Sequence, residues 1–328
     1  MEVAIIGAGV AGLTCACELV DRGVSVTVYE QSAQLGASAC SWFAGGMLAP
    51  WCERESADQM VVDLGVQALD WWAAHVDSLQ RNGSLVLSMQ RDKRDLQRFA
   101  RLTSNHVWLD NHQIAELEPD LGGRFERGLF FKDEAHLDAR QALQQLAQYL
   151  SSRGVAIQFG QAVNASDCDT DFIIDSRGFS ARQRLSRLRG VKGEMLLLKT
   201  PEVMLKRAVR LVHPRTPLYI VPRARGVFMV GATMIENDER NRISARSMLE
   251  LLSAAYALHP AFGEAEIMEI GVDVRPAFDD NLPKLLRDSN ILYVNGLYRH
   301  GFLLSPAMAA QAANAITHPD QFFELQPC

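Results

Sequence analysis

No run in this sequence approaches the ~18 consecutive apolar residues that a membrane-spanning helix needs. The apolar stretch at 3–20 is broken by Gly7, Gly9 and Gly12 and lacks a basic flank, so it does not read as a signal peptide. Cysteine is sparse and unclustered: Cys15, Cys17, Cys40, Cys52, Cys168 and Cys328 form no CxxC pair and no zinc-like spacing. This excludes a disulfide framework and a zinc site of that kind, and predicts reduced thiols in a cytoplasmic protein. Positive charge is not in excess, with 33 Lys and Arg against 39 Asp and Glu and a net charge of −6. Nucleic acid is therefore not expected as a partner. The one basic stretch, Arg182, Arg184, Arg187, Arg189 and Lys192, reads as a solvated helix face. No cluster of metal ligands is visible, and no internal repeat.

What is present is concentrated in the first thirty residues. Val3-Ala4-Ile5-Ile6 reads as a strand and Gly7-Ala8-Gly9-Val10-Ala11-Gly12 as a turn opening a helix that ends before Gly23. A second strand then closes on the acid Glu30. This is the βαβ unit that holds the ADP half of a dinucleotide. Gly7 allows the tight turn, Gly9 the approach of backbone to a pyrophosphate, and Gly12 close packing of helix on sheet. The helix N-terminus offers free N–H groups and a positive dipole end to phosphate. Glu30 can accept from both ribose hydroxyls and disfavours a 2′-phosphate, so NADP is not expected.

At 328 residues the chain is long for one core, and 48% hydrophobic with 22% charged residues is ordinary for a globular protein. Periodicity predicts a helix over 56–80, with Val61, Leu64, Ala68, Leu69 and Trp72 on one stripe. Strands are predicted at 84–89, 128–132, 191–199, 218–222, 227–232 and 267–274. Residues 155–159, 172–174 and 291–294 read as buried parallel strands. Asp138 reads as the N-cap of a helix carrying Leu143, Leu146 and Leu150, and a further helix spans 244–258. Ser305-Pro306 reads as N-cap and N1 of the C-terminal helix. The fold class expected is α/β: a discontinuous Rossmann-like domain (1–80, 134–190 and 275–328) with an inserted mixed-sheet domain (81–133 and 191–274). A ligand should sit where the two meet.

There is one Rossmann fingerprint and no second, which argues against joint use of FAD and NAD(P). The whole chain resembles the FAD-dependent D-amino-acid oxidase family, and within it the ThiO-type glycine oxidases. The residues that carry this are the N-terminal fingerprint, Ala44-Gly45-Gly46-Met47-Leu48-Ala49-Pro50 and Asp133-Glu134-Ala135-His136-Leu137-Asp138. To these add Val191-Lys192-Gly193-Glu194, Tyr219-Ile220-Val221-Pro222-Arg223 and Val230-Gly231-Ala232-Thr233. The last are Val274-Arg275-Pro276 and Asn295-Gly296-Leu297-Tyr298-Arg299-His300-Gly301 through Leu304-Ser305-Pro306-Ala307. The chain departs from the family at Asp273, where glycine often precedes the Arg-Pro pair by two, and at Asn281, where glycine is common. Asp175-Ser176-Arg177-Gly178 replaces a more apolar pattern, and the stretch 163–172 is short for a β-meander.

The resemblance implies non-covalent FAD and oxidation of a small amino acid at Cα, giving an imine and, with O2, H2O2. It implies that Arg275 and Tyr219 bind the substrate carboxylate, with Arg299 and Met47 beside substrate and flavin. Gly7, Gly9, Val10, Ala11, Gly12, Glu30, Gln31, Cys40, Ser41, Gly45, Gly46 and Val163 are implied FAD contacts. So are Gly296, Leu297, Tyr298, Arg299, His300, Gly301, Phe302 and Leu303, with the following helix aiming its positive end at the flavin. His136, His213 and His300 read as structural. A homo-oligomer is common in the family, which also points to the thiazole branch of thiamine biosynthesis. Sarcosine, a D-amino acid or another amine remain open as substrate. So do a flavoprotein monooxygenase and a non-catalytic flavin-binding maturation factor.

Overall fold

Parallel pairing sets the strand Glu2–Ile6 between Ser25–Glu30 and Phe172–Asp175. The computed structural model describes residues 1–213, 217–318 and 326–327; Cys328 lies outside the described residues. The sheet extends past Ser25–Glu30 to Ala156–Phe159, and past Phe172–Asp175 to Ile291–Asn295, Lys284–Asp288 and Gln326–Pro327. Its central strands are unbroken apolar runs because both faces are covered. Val3, Ala4, Ile5 and Ile6 are all buried. The helix Val10–Asp21 packs on Ala139–Ser152 and Gly301–Thr317. That double cover buries both Cys15 and Cys17, although they point in different directions.

The second sheet has eight strands. Glu266–Ala277 lies at one edge beside Arg189–Lys199, and Val227–Gly231, Leu218–Pro222 and Ala208–Val212 follow. Ser84–Ser88, Arg127–Phe131 and Val107–Asp110 complete it. The first sheet draws on 2–30, 156–175, 284–295 and 326–327, and the second on 84–131 and 189–277. Among the described residues no helix is long and apolar enough to cross a membrane.

The Asp138 cap falls where the sequence places it: its carboxylate accepts from the N–H groups of Arg140 and Gln141. The helix expected over 244–258 is Ala245–Leu258, and the Ser244 hydroxyl caps it by accepting from the Ser247 N–H. Other expectations are corrected. The helix expected over 56–80 is two shorter ones, Gln59–Gly65 and Ala68–His75, the first capped by Asp58. Val61, Ala68, Leu69 and Trp72 are buried across both. Ala156–Phe159 is parallel but largely exposed, because it is the sheet edge. The basic stretch is not one helix face. Arg182 lies in a 3₁₀ turn and pairs with Asp238, while Arg189 and Lys192 lie on a strand. Lys192 is buried against Glu194 at 3.2 Å.

The C-terminal helix starts at Gly301, one turn before Ser305-Pro306, and Pro306 lies inside it. The first i→i−4 bond runs from the Leu304 N–H to the His300 carbonyl, 2.8 Å. Proline has no N–H for the carbonyl four residues back. That carbonyl, of Phe302, is taken instead by the Trp72 indole N–H at 2.8 Å.

Candidate active site

A cleft between the two sheets encloses about 2040 Å³ of empty space, its open mouth included. Gly7, Glu30 and Val163 line it from the first sheet, and Met195, Tyr219 and Arg275 from the second. Every site residue expected from sequence lines this cleft except Gly12 and Gly296. Gly12 lies beneath the turn, where a Cβ would stand 1.9 Å from the Gly7 carbonyl oxygen. Gly296, at φ +77°, packs on the Phe278 ring, so the stretch that faces the cleft begins at Leu297.

Two helix N-termini open onto the cleft. Val10–Asp21 and Gly301–Thr317 both lack a side-chain cap bond and both lack an acid in the first turn. Val10, Ala11, Gly301, Phe302 and Leu303 line the cleft directly. Two positive dipole ends with no anion of the protein's own fit a ligand carrying a pyrophosphate and a second electron-rich group. Glu30 sits at the end of its strand, buried, with one oxygen accepting from the Ala8 N–H at 2.9 Å and the other from the Ser32 N–H at 2.8 Å. Glu30 lines the cleft, and a carboxylate has acceptor capacity beyond these two bonds. Cys40 and Ser41 lie on the same wall. These features fit FAD.

The opposite wall is built on glycines that make room for larger groups. Tyr219 lies between Gly45 and Gly231, where added Cβ atoms would stand 2.8 and 3.1 Å from its ring and hydroxyl. Its hydroxyl makes no hydrogen bond among the described residues. The Gly45-Gly46 loop is held by Arg223, which donates to the carbonyls of Ala44, Gly45 and Leu137 and pairs with Asp138 at 2.9 Å. Met47, at the end of that loop, pairs with His136 in a two-strand ladder. Buried Glu194 accepts from Thr233 and from the Ser244 N–H, so it ties down the loop at 233–243.

Four arginines line the cleft: Arg177, Arg240, Arg275 and Arg299. Three have carboxylate partners. Arg177 pairs with Asp175 at 2.6 Å, Arg240 with Asp273 at 3.0 Å, and Arg299 with Glu53 at 2.9 Å. Arg275 has none among the described residues; its guanidinium donates to the Thr233 carbonyl at 2.9 Å.

Glu53 was not singled out from the sequence. It sits on the short helix Pro50–Glu53, lines the cleft, and joins groups more than 150 positions away. One oxygen accepts from Arg210 at 2.5 Å; the other accepts from Arg299 and His300, both at 2.9 Å. Burial opposes its charge, but Arg299, Arg210 and His300 hold it well below the usual carboxylate range. Burial lowers His300 in turn, against the pull of Glu53. Burial raises Asp273, against the Val274 N–H, Arg240 and Arg275. Behind this wall burial pushes Glu134 up to about 7, and burial with nearby Arg223 lowers His136 to about 4. No local pattern marks Glu53 or Arg240. Asp273 is visible in sequence only as a departure from the family's glycine.

The chain matches the family described as DAO, FAD dependent oxidoreductase, over residues 2–315. It is 55% identical over 317 residues to a protein of Rhizobium etli described as a putative thiamine biosynthesis oxidoreductase, ThiO, with 96% of each chain covered. A glycine oxidase of Geobacillus kaustophilus is 25% identical over 365 residues, covering 99% of this chain and 95% of that one. A crystal structure of glycine oxidase from Geobacillus kaustophilus shares the fold, with a TM-score of 0.82 at 24% identity over 96% of this chain and 94% of that chain.

Proposed function

The chain belongs to the FAD dependent oxidoreductase family, and we propose that it oxidises glycine, or an amino acid little larger, in the service of thiamine biosynthesis. The overall change is glycine, O2 and water to glyoxylate, ammonia and H2O2. The observation that carries this reading is Arg275, the one arginine of the cleft without a carboxylate partner among the described residues. A planar cation in a partly buried wall calls for a carboxylate from outside.

Bound FAD would supply the two-electron acceptor for oxidation at the substrate Cα, with O2 as the terminal oxidant. The chain's own residues supply position. Arg275 binds the carboxylate in a fixed plane, and the Tyr219 hydroxyl donates a second hydrogen bond to it. The first residues of Gly301–Thr317 present N–H groups and a positive dipole end to the cofactor edge, where negative charge favours them. Gly7, Gly9 and the start of Val10–Asp21 would hold the pyrophosphate, and Glu30 the ribose. His300 is engaged by Glu53 through Nε2, which fixes the ring in the cleft wall.

Similarity to ThiO over almost the full length supports the pathway, and similarity to a glycine oxidase supports the substrate. The test is aerobic incubation of the purified yellow protein with glycine. Equimolar glyoxylate and H2O2 are expected; flavin that neither bleaches nor yields H2O2 with glycine, sarcosine or D-alanine overturns the reading.

A further inference from the structure

The arginines of the cleft differ in how they are held, and the difference has a direction. Arg299 reaches the cleft from the loop before the last helix, and its charge is met by Glu53 at 2.9 Å. Arg240 reaches it from the loop at 233–243, and its charge is met by Asp273 at 3.0 Å. Asp273 and Arg275 lie two apart on the strand Glu266–Ala277 and so share a face. On that face one side chain is a cation without a carboxylate partner among the described residues, bonded to the Thr233 carbonyl, and its neighbour a carboxylate paired with Arg240.

We propose that Glu53 and Asp273 are specificity-determining residues that reserve the cleft for a substrate with one carboxylate. This rests on the reading of Arg275 as the carboxylate clamp. A second carboxylate on the ligand would have to displace Glu53 from Arg299, or Asp273 from Arg240. The first takes one of the three donors from buried Glu53, which keeps Arg210 and His300, and the second leaves buried Asp273 without its ion pair; both are costly. Replacing Glu53 strips Arg210, Arg299 and His300 of a shared acceptor and leaves extra positive charge in the cleft wall. Replacing Asp273 frees Arg240 beside Arg275. Both changes turn a wall with one available cation into a wall with two.

The experiment uses the FAD-loaded protein and two non-reacting ligands of equal carbon number, propionate and malonate, at a pH where malonate is a dianion. Binding is read from the perturbation of the flavin absorbance, so no turnover is needed. The wild-type protein should bind propionate at least tenfold more tightly than malonate. In Glu53→Gln, in Asp273→Asn, or in both, malonate affinity relative to propionate should rise at least tenfold. Asp273→Asn guards against loss of the fold in Glu53→Gln, because Arg240 is half exposed and tolerates losing its partner. An unchanged affinity ratio in both FAD-loaded variants overturns the proposal, as does a wild-type protein that prefers malonate. If the wild-type protein binds neither ligand, the Arg275 clamp itself fails, and this inference with it. If the ratios shift as expected while glycine is not oxidised, the charge filter stands and the glycine reading falls.

Discussion

A methyl group on Gly193 would stand 2.4 Å from the guanidinium carbon of Arg275. The two residues lie on adjacent antiparallel strands, with Gly193 opposite Asp273 and Val191 opposite Arg275. The Gly193-Glu194 motif therefore has a physical reading: the glycine leaves room for the clamp, and the glutamate ties down the loop whose Thr233 carbonyl accepts from Arg275.

Gly193→Ala should push Arg275 off its position while FAD stays bound. The apparent KM for glycine should rise at least tenfold in steady-state assays. Arg275→Ala should cost more, about 2–5 kcal/mol of kcat/KM, because a charge-assisted bidentate contact is lost. Tyr219→Phe should cost about 1–2 kcal/mol for one hydrogen bond. Wild-type kinetics in Gly193→Ala would mean that the guanidinium does not hold the substrate where it lies here.

Glu30→Lys should purify with little FAD. The change removes the acceptor for the ribose hydroxyls and the carboxylate that receives the Ala8 and Ser32 N–H groups. Flavin released on denaturation, measured per mole of protein, checks this. A full complement of FAD would contradict the place given to Glu30.

Trp72→Phe should destabilise the protein by about 1–3 kcal/mol, because the buried Phe302 carbonyl loses its donor. Pro306→Ala supplies that carbonyl with the ordinary helical N–H. In the double variant the loss due to Trp72→Phe should shrink. Denaturant midpoints of the four proteins measure the coupling; strictly additive effects would show that the two donors do not substitute for each other.

Glu134 makes stability depend on pH. Its folded pKa, about 7, lies above the ordinary carboxyl value of about 4.3. Stability from the buried neutral acid is therefore complete below about pH 4 and is lost as pH rises to about 7, by about 4 kcal/mol in all. Glu134→Gln keeps the acceptor for the Cys52 N–H at 2.7 Å and removes the titration. Relative to wild type, the variant should gain stability between pH 5 and pH 8 by denaturant unfolding. Parallel pH curves for the two proteins would contradict the raised pKa.

How far the sequence reveals such relationships depends on how local they are. The dinucleotide fingerprint is legible because turn, helix start and acid are fixed by contacts within thirty residues. Asp138 is legible because a cap is satisfied within three residues. The start of the last helix is not, since Ser305-Pro306 has the local form of a helix beginning. What lets the helix run through Pro306 is an indole N–H on Trp72, 230 positions from Phe302. Glu53 is hidden for the same reason, its partners lying 157 to 247 positions away. The strand Ala208–Val212 escaped detection because Arg210 breaks an apolar run, and that arginine is buried only because Glu53 meets it. The motif residues converge on one cleft, while the pairing that leaves Arg275 alone among the arginines is a property of the folded chain.

The central claim, a small amino acid held by Arg275 against the cofactor, is tested most directly by kcat/KM for glycine, sarcosine, D-alanine, D-proline and D-phenylalanine under identical conditions. The account predicts glycine first, then sarcosine and D-alanine, since an apolar pocket discriminates by only about 1–3 kcal/mol per methylene. D-phenylalanine should be poorest. D-phenylalanine or D-proline exceeding glycine tenfold would contradict it and make the protein an oxidase of larger D-amino acids.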